Sequence, residues 1–171
     1  VLAQCDEAAE HGLISKIEVD GKPADIIQFH ELKNNLALLA SHYYGQPSKA
    51  LTTIGVTGTN GKTSIVYFIK QLFTLLKRHT ASIGTLGYGS GNKYVETNNT
   101  TPGPCQLQQI LCEFAAENFS AVAMEVSSHA LEQVWVKGTD FRTEIFTNLT
   151  QDHLDYHHTM EEYRSVKGLF F

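Results

Sequence analysis

The chain has 171 residues, enough for one domain and part of another, and its 42% hydrophobic content supports a real core. A net charge of −5 with no basic stripe excludes a general nucleic-acid binder, and no apolar run reaches membrane-spanning length, so no membrane insertion is expected. Cys5, Cys105 and Cys112 are odd in number and lack metal-ligand spacing, which reads as reduced thiols in a cytoplasmic protein.

The first thirty residues are weakly patterned. Residues 12–19 and 24–29 read as short strands around a turn at Asp20-Gly21-Lys22-Pro23. Leu32, Leu36, Leu39, Ala40 and Tyr43 then recur at helical spacing, and Tyr44-Gly45-Gln46-Pro47-Ser48 breaks that helix as an interdomain linker. The expected division is 1–46 and 47–171. The chain starts without methionine and stops at Phe171 inside a helical pattern, so a fragment of a longer polypeptide is expected.

From Leu51 the order becomes strand, glycine loop, helix, and repeats. Residues 51–56 form a β-like segment, and Ile65, Ile69, Leu72, Phe73 and Leu76 mark the following helix. Residues 82–86 read as a second strand, followed by a loop rich in glycine and asparagine over 87–101. Leu107, Ile110, Leu111, Phe114 and Ala115 mark a helix entered through Pro102 and Pro104, and further strands fall at 121–126 and 144–147. This alternation predicts an α/β fold: a mostly parallel sheet with helices on both faces, its ligands beyond the carboxyl ends of the strands. Every polar cluster below follows a predicted strand, so the clusters should gather at one edge.

The stretch GVTGTNGKTS, residues 55–64, carries the strongest chemical signal. Glycines at 55, 58 and 61 let the backbone turn tightly so that successive amides converge, while the helix behind adds the positive end of its dipole. Lys62 supplies a cation and Thr63 a hydroxyl suited to Mg²⁺. The strict phosphate-loop pattern needs glycine six residues before the lysine; that place is Val56, so the loop is a variant form. A nucleoside triphosphate is the expected ligand.

Glu125 ends an apolar strand, where an acidic residue completes a Mg²⁺ shell in phosphate-loop enzymes, although exposed carboxylates at strand ends are also common. Residues 148–158, NLTQDHLDYHH, pack two carboxylates and three imidazoles together. His153 and His157 are four apart, as a zinc pair on a helix would be, but no glutamate stands between them in the metallopeptidase arrangement. A solvated polar loop is one alternative; a metal or phosphate contact at His153 is the other. Lys167 lies near the middle of a helical arc formed by Met160, Tyr163, Phe170 and Phe171, where a lysine must snorkel, pair with an anion or lose its charge. Residues 97–102, TNNTTP, suit a sugar-phosphate or pyrophosphate but by themselves read as a polar loop, and Ser127-Ser128-His129 has the same two readings.

In this order TGTNGKTS (57–64), NTTP (99–102), MEVSSHAL (124–131), NLTQDHLDYH (148–157) and YRSVKGLFF (163–171) resemble the Mur ligases of bacterial peptidoglycan synthesis. The match is good over residues 32–171; residues 1–31 resemble only the tail of a uridine-nucleotide-binding domain. IGTLGYG (83–89) and the Ser-Ser-His-Ala-Leu wording favour the branch that adds the third amino acid.

The resemblance implies a three-domain, monomeric ligase of cell-wall biogenesis, and hence of cell shape and division. Residues 1–46 would end its small α/β N-terminal domain, and residues 47–171 would begin its central ATP-binding domain. The implied substrates are ATP, UDP-N-acetylmuramoyl-L-alanyl-D-glutamate and a diamino acid, meso-diaminopimelate or L-lysine, joined through an acyl phosphate. Gly58, Thr59, Asn60, Gly61, Lys62, Thr63 and Ser64 would cradle ATP. Lys62, Glu125, His153 and Lys167 would be catalytic. Thr63, Glu125, His153 and a carbamylated Lys167 would serve Mg²⁺. Asn99, Thr100, Thr101, Ser127 and Gln133 match positions contacting the muramoyl peptide. Such ligases often carry arginine two residues after Gln133; here Trp135 stands there and cannot offer a charged fork. A folylpolyglutamate or cyanophycin synthetase, or a phosphate-loop kinase or nucleotide hydrolase, would share much of the loop chemistry.

Overall fold

The computed structural model describes residues 2–5, 12, 14–152 and 154–171. The chain divides into two compact units, Val1–Leu36 and Ala37–Phe171. In the first, β1 (Leu2–Cys5) pairs in parallel and β2 (Ile14–Val19) in antiparallel fashion with β3 (Lys22–His30). The expected turn tightens to Asp20-Gly21, both at positive φ, and Lys22 and Pro23 already belong to β3. Helix α1 (Leu32–Tyr43) follows.

The second unit is built on a six-stranded sheet. Its strands are β4 (Thr52–Thr57), β5 (Thr80–Gly84), β6 (Gly87–Ser90), β7 (Lys93–Val95), β8 (Ala121–Glu125) and β9 (Thr143–Phe146), in the order β7-β6-β5-β8-β4-β9. β5, β8, β4 and β9 run parallel; β6 and β7 add an antiparallel margin. The helices are α2 (Lys62–Leu75), α3 (Pro104–Ala116), α4 (Ser128–Glu132), α5 (Leu154–His157) and α6 (Met160–Gly168). Among the described residues no helix is long and apolar enough to cross a membrane.

Two cores flank the sheet, as a continuous apolar strand sequence demands. Every residue of β8 is buried. Val122 and Met124 join Ile83, Leu107, Ile110, Leu111 and Phe114 on the α3 side, while Ala123 meets Val56 and Val66 on the α2 side. Leu107, Ile110, Leu111 and Phe114 recur at the spacing that turns one helical face inward, each burial stabilising by about 1.5–3 kcal/mol.

The glycine-rich stretch after β5 departs from expectation. Its first half is the β6–β7 hairpin rather than a loop. Gly87 and Gly89 have φ of 94° and 150°, and a Cβ there would run into the backbone of Val95 and of Lys93. These glycines permit close strand approach, which reads in sequence like flexibility.

Leu107→Ala should lower the unfolding free energy of the second unit by about 2–5 kcal/mol, because the closed core cannot collapse onto the lost volume. Denaturant melts of the variant and parent chains measure it.

Candidate functional site

The site lies beyond the carboxyl ends of β4, β5, β8 and β9, where the topology brings four loops together. The first, residues 58–61, connects β4 to α2. Gly58 has φ 139°, and a Cβ on it would collide with Thr147 Oγ1 and crowd Asn148 O at 3.0 Å. Gly61, at φ 84°, precedes the first turn of α2, where a Cβ would meet open space. Ile65 N closes the helix onto Gly61 O at 3.0 Å, leaving the preceding amides and the helix's positive end directed at the loop.

The loop after β9 braces this turn. Thr59 N donates to Asn148 O at 2.9 Å and Asn60 N to Asn148 Oδ1 at 3.0 Å. Thr147 Oγ1 donates to Asn60 O at 2.7 Å. The Thr59 hydroxyl, 5% exposed, accepts from Thr150 N at 3.0 Å, donates to Thr150 O at 3.2 Å and meets Tyr163 OH at 3.2 Å.

Two lysines share one acceptor. Lys62 Nζ donates to Gly58 O at 2.9 Å and to Thr59 O at 2.8 Å. Lys167 Nζ, from α6, donates to the same Gly58 O at 3.0 Å and to Thr57 Oγ1 at 3.2 Å. Burial pulls the Lys62 ammonium below its usual value, with Glu125 and Asp152 opposing. Lys167 is 2% exposed, and burial, then repulsion from Lys62, lowers it to about 7, with Asp152 opposing. Its place in an apolar arc was the sequence signal for this burial.

Glu125 is buried at the end of β8. Its Oε1 accepts from Thr85 N at 3.0 Å; its Oε2 accepts from Thr63 Oγ1 at 3.0 Å and Thr85 Oγ1 at 3.2 Å. Gly84 makes room for it: a Cβ there would overlap Oε1 and approach Cδ to 2.8 Å. The Thr63 hydroxyl and the carboxylate present hard oxygen donors side by side, a set that fits Mg²⁺.

A cavity of about 330 Å³ opens beside the lysines, lined by Lys62, Asn99, Thr100, Ser127, Ser128, His129, Gln133, Trp135 and Lys167. Four of the five residues matched to a substrate role therefore share it with both lysines. The fifth, Thr101, is fully buried behind them: its hydroxyl donates to Glu125 O at 3.0 Å and accepts from Ser127 N at 2.9 Å. Ser127 Oγ in turn accepts from Ala130 N at 3.2 Å, capping α4. Ser64 lies exposed on the first turn of α2. His153 lies outside the described residues. His157 is buried, its Nε2 2.8 Å from Ser128 Oγ. Among the described residues no group of three or more histidine, cysteine or acidic side chains forms a metal cluster, and the other half of the His153–His157 pair lies outside them.

Sequence reasoning missed Thr147, Thr150, Thr85 and Tyr163 as members of this site. Their signal was only position: each follows a strand end or lies one helical turn from Lys167.

Strand, glycine loop and lysine-led helix at the carboxyl edge of a parallel sheet define a phosphate-loop α/β unit. Residues 56–171 match the family described as the Mur ligase middle domain, and the chain belongs to the Mur ligase family. It is 44% identical, over all of its 171 residues and 34% of the relative's length, to the UDP-N-acetylmuramoyl-L-alanyl-D-glutamate–2,6-diaminopimelate ligase of Buchnera aphidicola. To the enzyme of that name from Chromobacterium violaceum it is 50% identical over 141 residues, 82% of this chain and 29% of that one. A solved structure of a ligase with the same name superposes with a TM-score of 0.75 at 33% identity, covering 88% of this chain and 31% of that one. The chain thus spans about a third of the length of the curated relatives it matches.

The lowered Lys167 value has a stability consequence. Between about 7 and 10.5 the unfolded chain binds the proton that the folded chain does not, so folding grows more favourable as pH rises through that interval and the penalty is full below it. Thermal melts in CO₂-free buffer should show this rise, and Lys167→Met should flatten it; an unchanged slope in the variant would assign the effect elsewhere.

Proposed function

We propose that this chain is the nucleotide-binding part of an ATP-dependent ligase that adds meso-diaminopimelate to UDP-N-acetylmuramoyl-L-alanyl-D-glutamate in the cytoplasm. The observation that carries this is the convergence of a braced phosphate loop, half-buried Lys62 and buried Lys167 on one side of a cavity whose other wall is polar, with Glu125 bonded to Thr63 next to Lys62. The relatives' names supply the substrate and favour diaminopimelate over lysine. Residues 1–46 would end the uridine-nucleotide-binding domain of the complete monomeric enzyme, and residues 47–171 would begin its ATP-binding domain.

The residues fit the reaction. The amides of Gly61, Lys62 and Thr63 and the α2 dipole receive the nucleotide phosphates, and Lys62 turns from the loop carbonyls to neutralise them. Thr63 and Glu125 would hold Mg²⁺, with His153 assigned as a further contact, and the ion would supply positive charge against the phosphates. Asn99, Thr100, Ser127 and Gln133 orient the muramoyl peptide so that its D-glutamate γ-carboxylate faces the terminal phosphate. Attack by that carboxylate gives an acyl phosphate and ADP; attack by the incoming amine forms the amide and releases phosphate. Lys167, neutral in a large fraction near pH 7, adds CO₂ and loses a proton to become a carbamate, a carboxylate able to serve a second Mg²⁺.

In the complete protein, phosphate release should require ATP, the muramoyl dipeptide nucleotide and 2,6-diaminopimelate together, and Lys62→Ala should lower kcat about a hundredfold or more. Turnover should fall on CO₂ removal and return with bicarbonate. Release that proceeds without the muramoyl substrate would point instead to a kinase or nucleotide hydrolase.

A further inference from the structure

One wall of the cavity comes from a single short segment. Ser127, Ser128, His129, Gln133 and Trp135 all belong to α4 and its immediate exit. That exit is strained. Val134, between the two cavity residues Gln133 and Trp135, has φ 53°, a left-handed conformation that is strained for a β-branched residue. Strain of this kind persists only where neighbouring structure over-determines the backbone. The α4 hydrogen bonds that close the turn, Val134 N to Leu131 O at 3.0 Å and Trp135 N to Ala130 O at 2.8 Å, lie within the segment itself.

Thr101 holds the start of the segment at Ser127, and two adjacent residues of α5 hold it further along. The Tyr156 ring lies against the His129 ring, centroids 3.9 Å apart, and stands edge-on to the His157 ring at 4.8 Å. His157 Nε2 reaches Ser128 Oγ at 2.8 Å, both side chains being 2% exposed. The His157 ring also stacks on Tyr163, centroids 5.1 Å apart at 28°. Tyr163 meets Thr59 of the phosphate loop, and Lys167 lies one turn further along α6.

We infer that Tyr156-His157 is a positioning strut that sets the α4 wall of the cavity against the phosphate loop and Lys167. Tyr156 holds the wall through the His129 ring, and His157 holds it one residue earlier through Ser128. Neither residue needs to touch substrate. The strut fixes the distance between the groups that orient the muramoyl peptide and the groups that receive phosphate. Naming the peptide as the affected ligand rests on the function proposed above.

The test compares His157→Phe, which keeps the ring stack and loses the hydrogen bond, with His157→Gln, which restores a hydrogen-bonding group at similar reach. In the complete protein, His157→Phe should raise KM for the muramoyl dipeptide nucleotide roughly fivefold or more. KM for ATP should stay within about twofold, because the phosphate loop keeps its own braces. His157→Gln should recover most of the loss. An unchanged peptide KM, an equal rise in both constants, or a glutamine variant no better than phenylalanine overturns the strut. Should the parent protein show no turnover, the functional reading fails and amide exchange decides the strut separately. Faster exchange at residues 130–136 in the phenylalanine variant, with residues 59–65 unaltered, supports it; unaltered exchange at 130–136 rejects it.

Discussion

The hydroxyl of Thr59 is the knot on which the site depends. It has one proton and two lone pairs, and three partners surround it. Thr150 N can only donate and Thr150 O only accept, so the second lone pair is left for Tyr163, whose phenol must be the donor. One buried side chain thereby ties together the turn after β4, the loop after β9 and the helix carrying Lys167. Burial raises the Tyr163 pKa, which keeps that donor protonated across the neutral range.

Around this knot the charges are arranged locally. A chain with net charge −5 attracts no polyanion by its overall field. Instead two lysine side chains converge on the Gly58 carbonyl from α2 and from α6, and the Lys62 charge disfavours a charge on Lys167. A carboxylate lies on the neighbouring strand, held by two threonines rather than by a lysine. An arrangement with its cations crowded and its carboxylate paired only to neutral donors has unspent electrostatic capacity on both sides, which a magnesium-bound polyphosphate would use.

What the sequence made legible follows from the range of the interactions. The phosphate loop, α2, α3 and the buried strands depend on neighbours within a turn or on two-sided apolar runs, and residues 62–75 and 104–116 form helices around the expected positions. Lys167 was legible because a charge within a helical apolar arc is a local anomaly. The β6–β7 hairpin was hidden, since glycines that admit a neighbouring backbone look the same as glycines that free a loop. The braces were hidden for a different reason: Thr59 and Tyr163 are 104 residues apart, and no pattern along the chain couples them. His157 was visible as a polar residue, but its pairing with Ser128 depends on how α5 is laid against α4.

Gly84 shows how far such a constraint reaches. The absent side chain of one strand is the space that the Glu125 carboxylate of the next strand fills. Position 84 is thus governed by chemistry it does not perform: a methyl group there would evict the carboxylate from its threonine partners. The size of residue 84 therefore sets the posture of the carboxylate at 125, and the two positions are coupled through volume rather than through a bond.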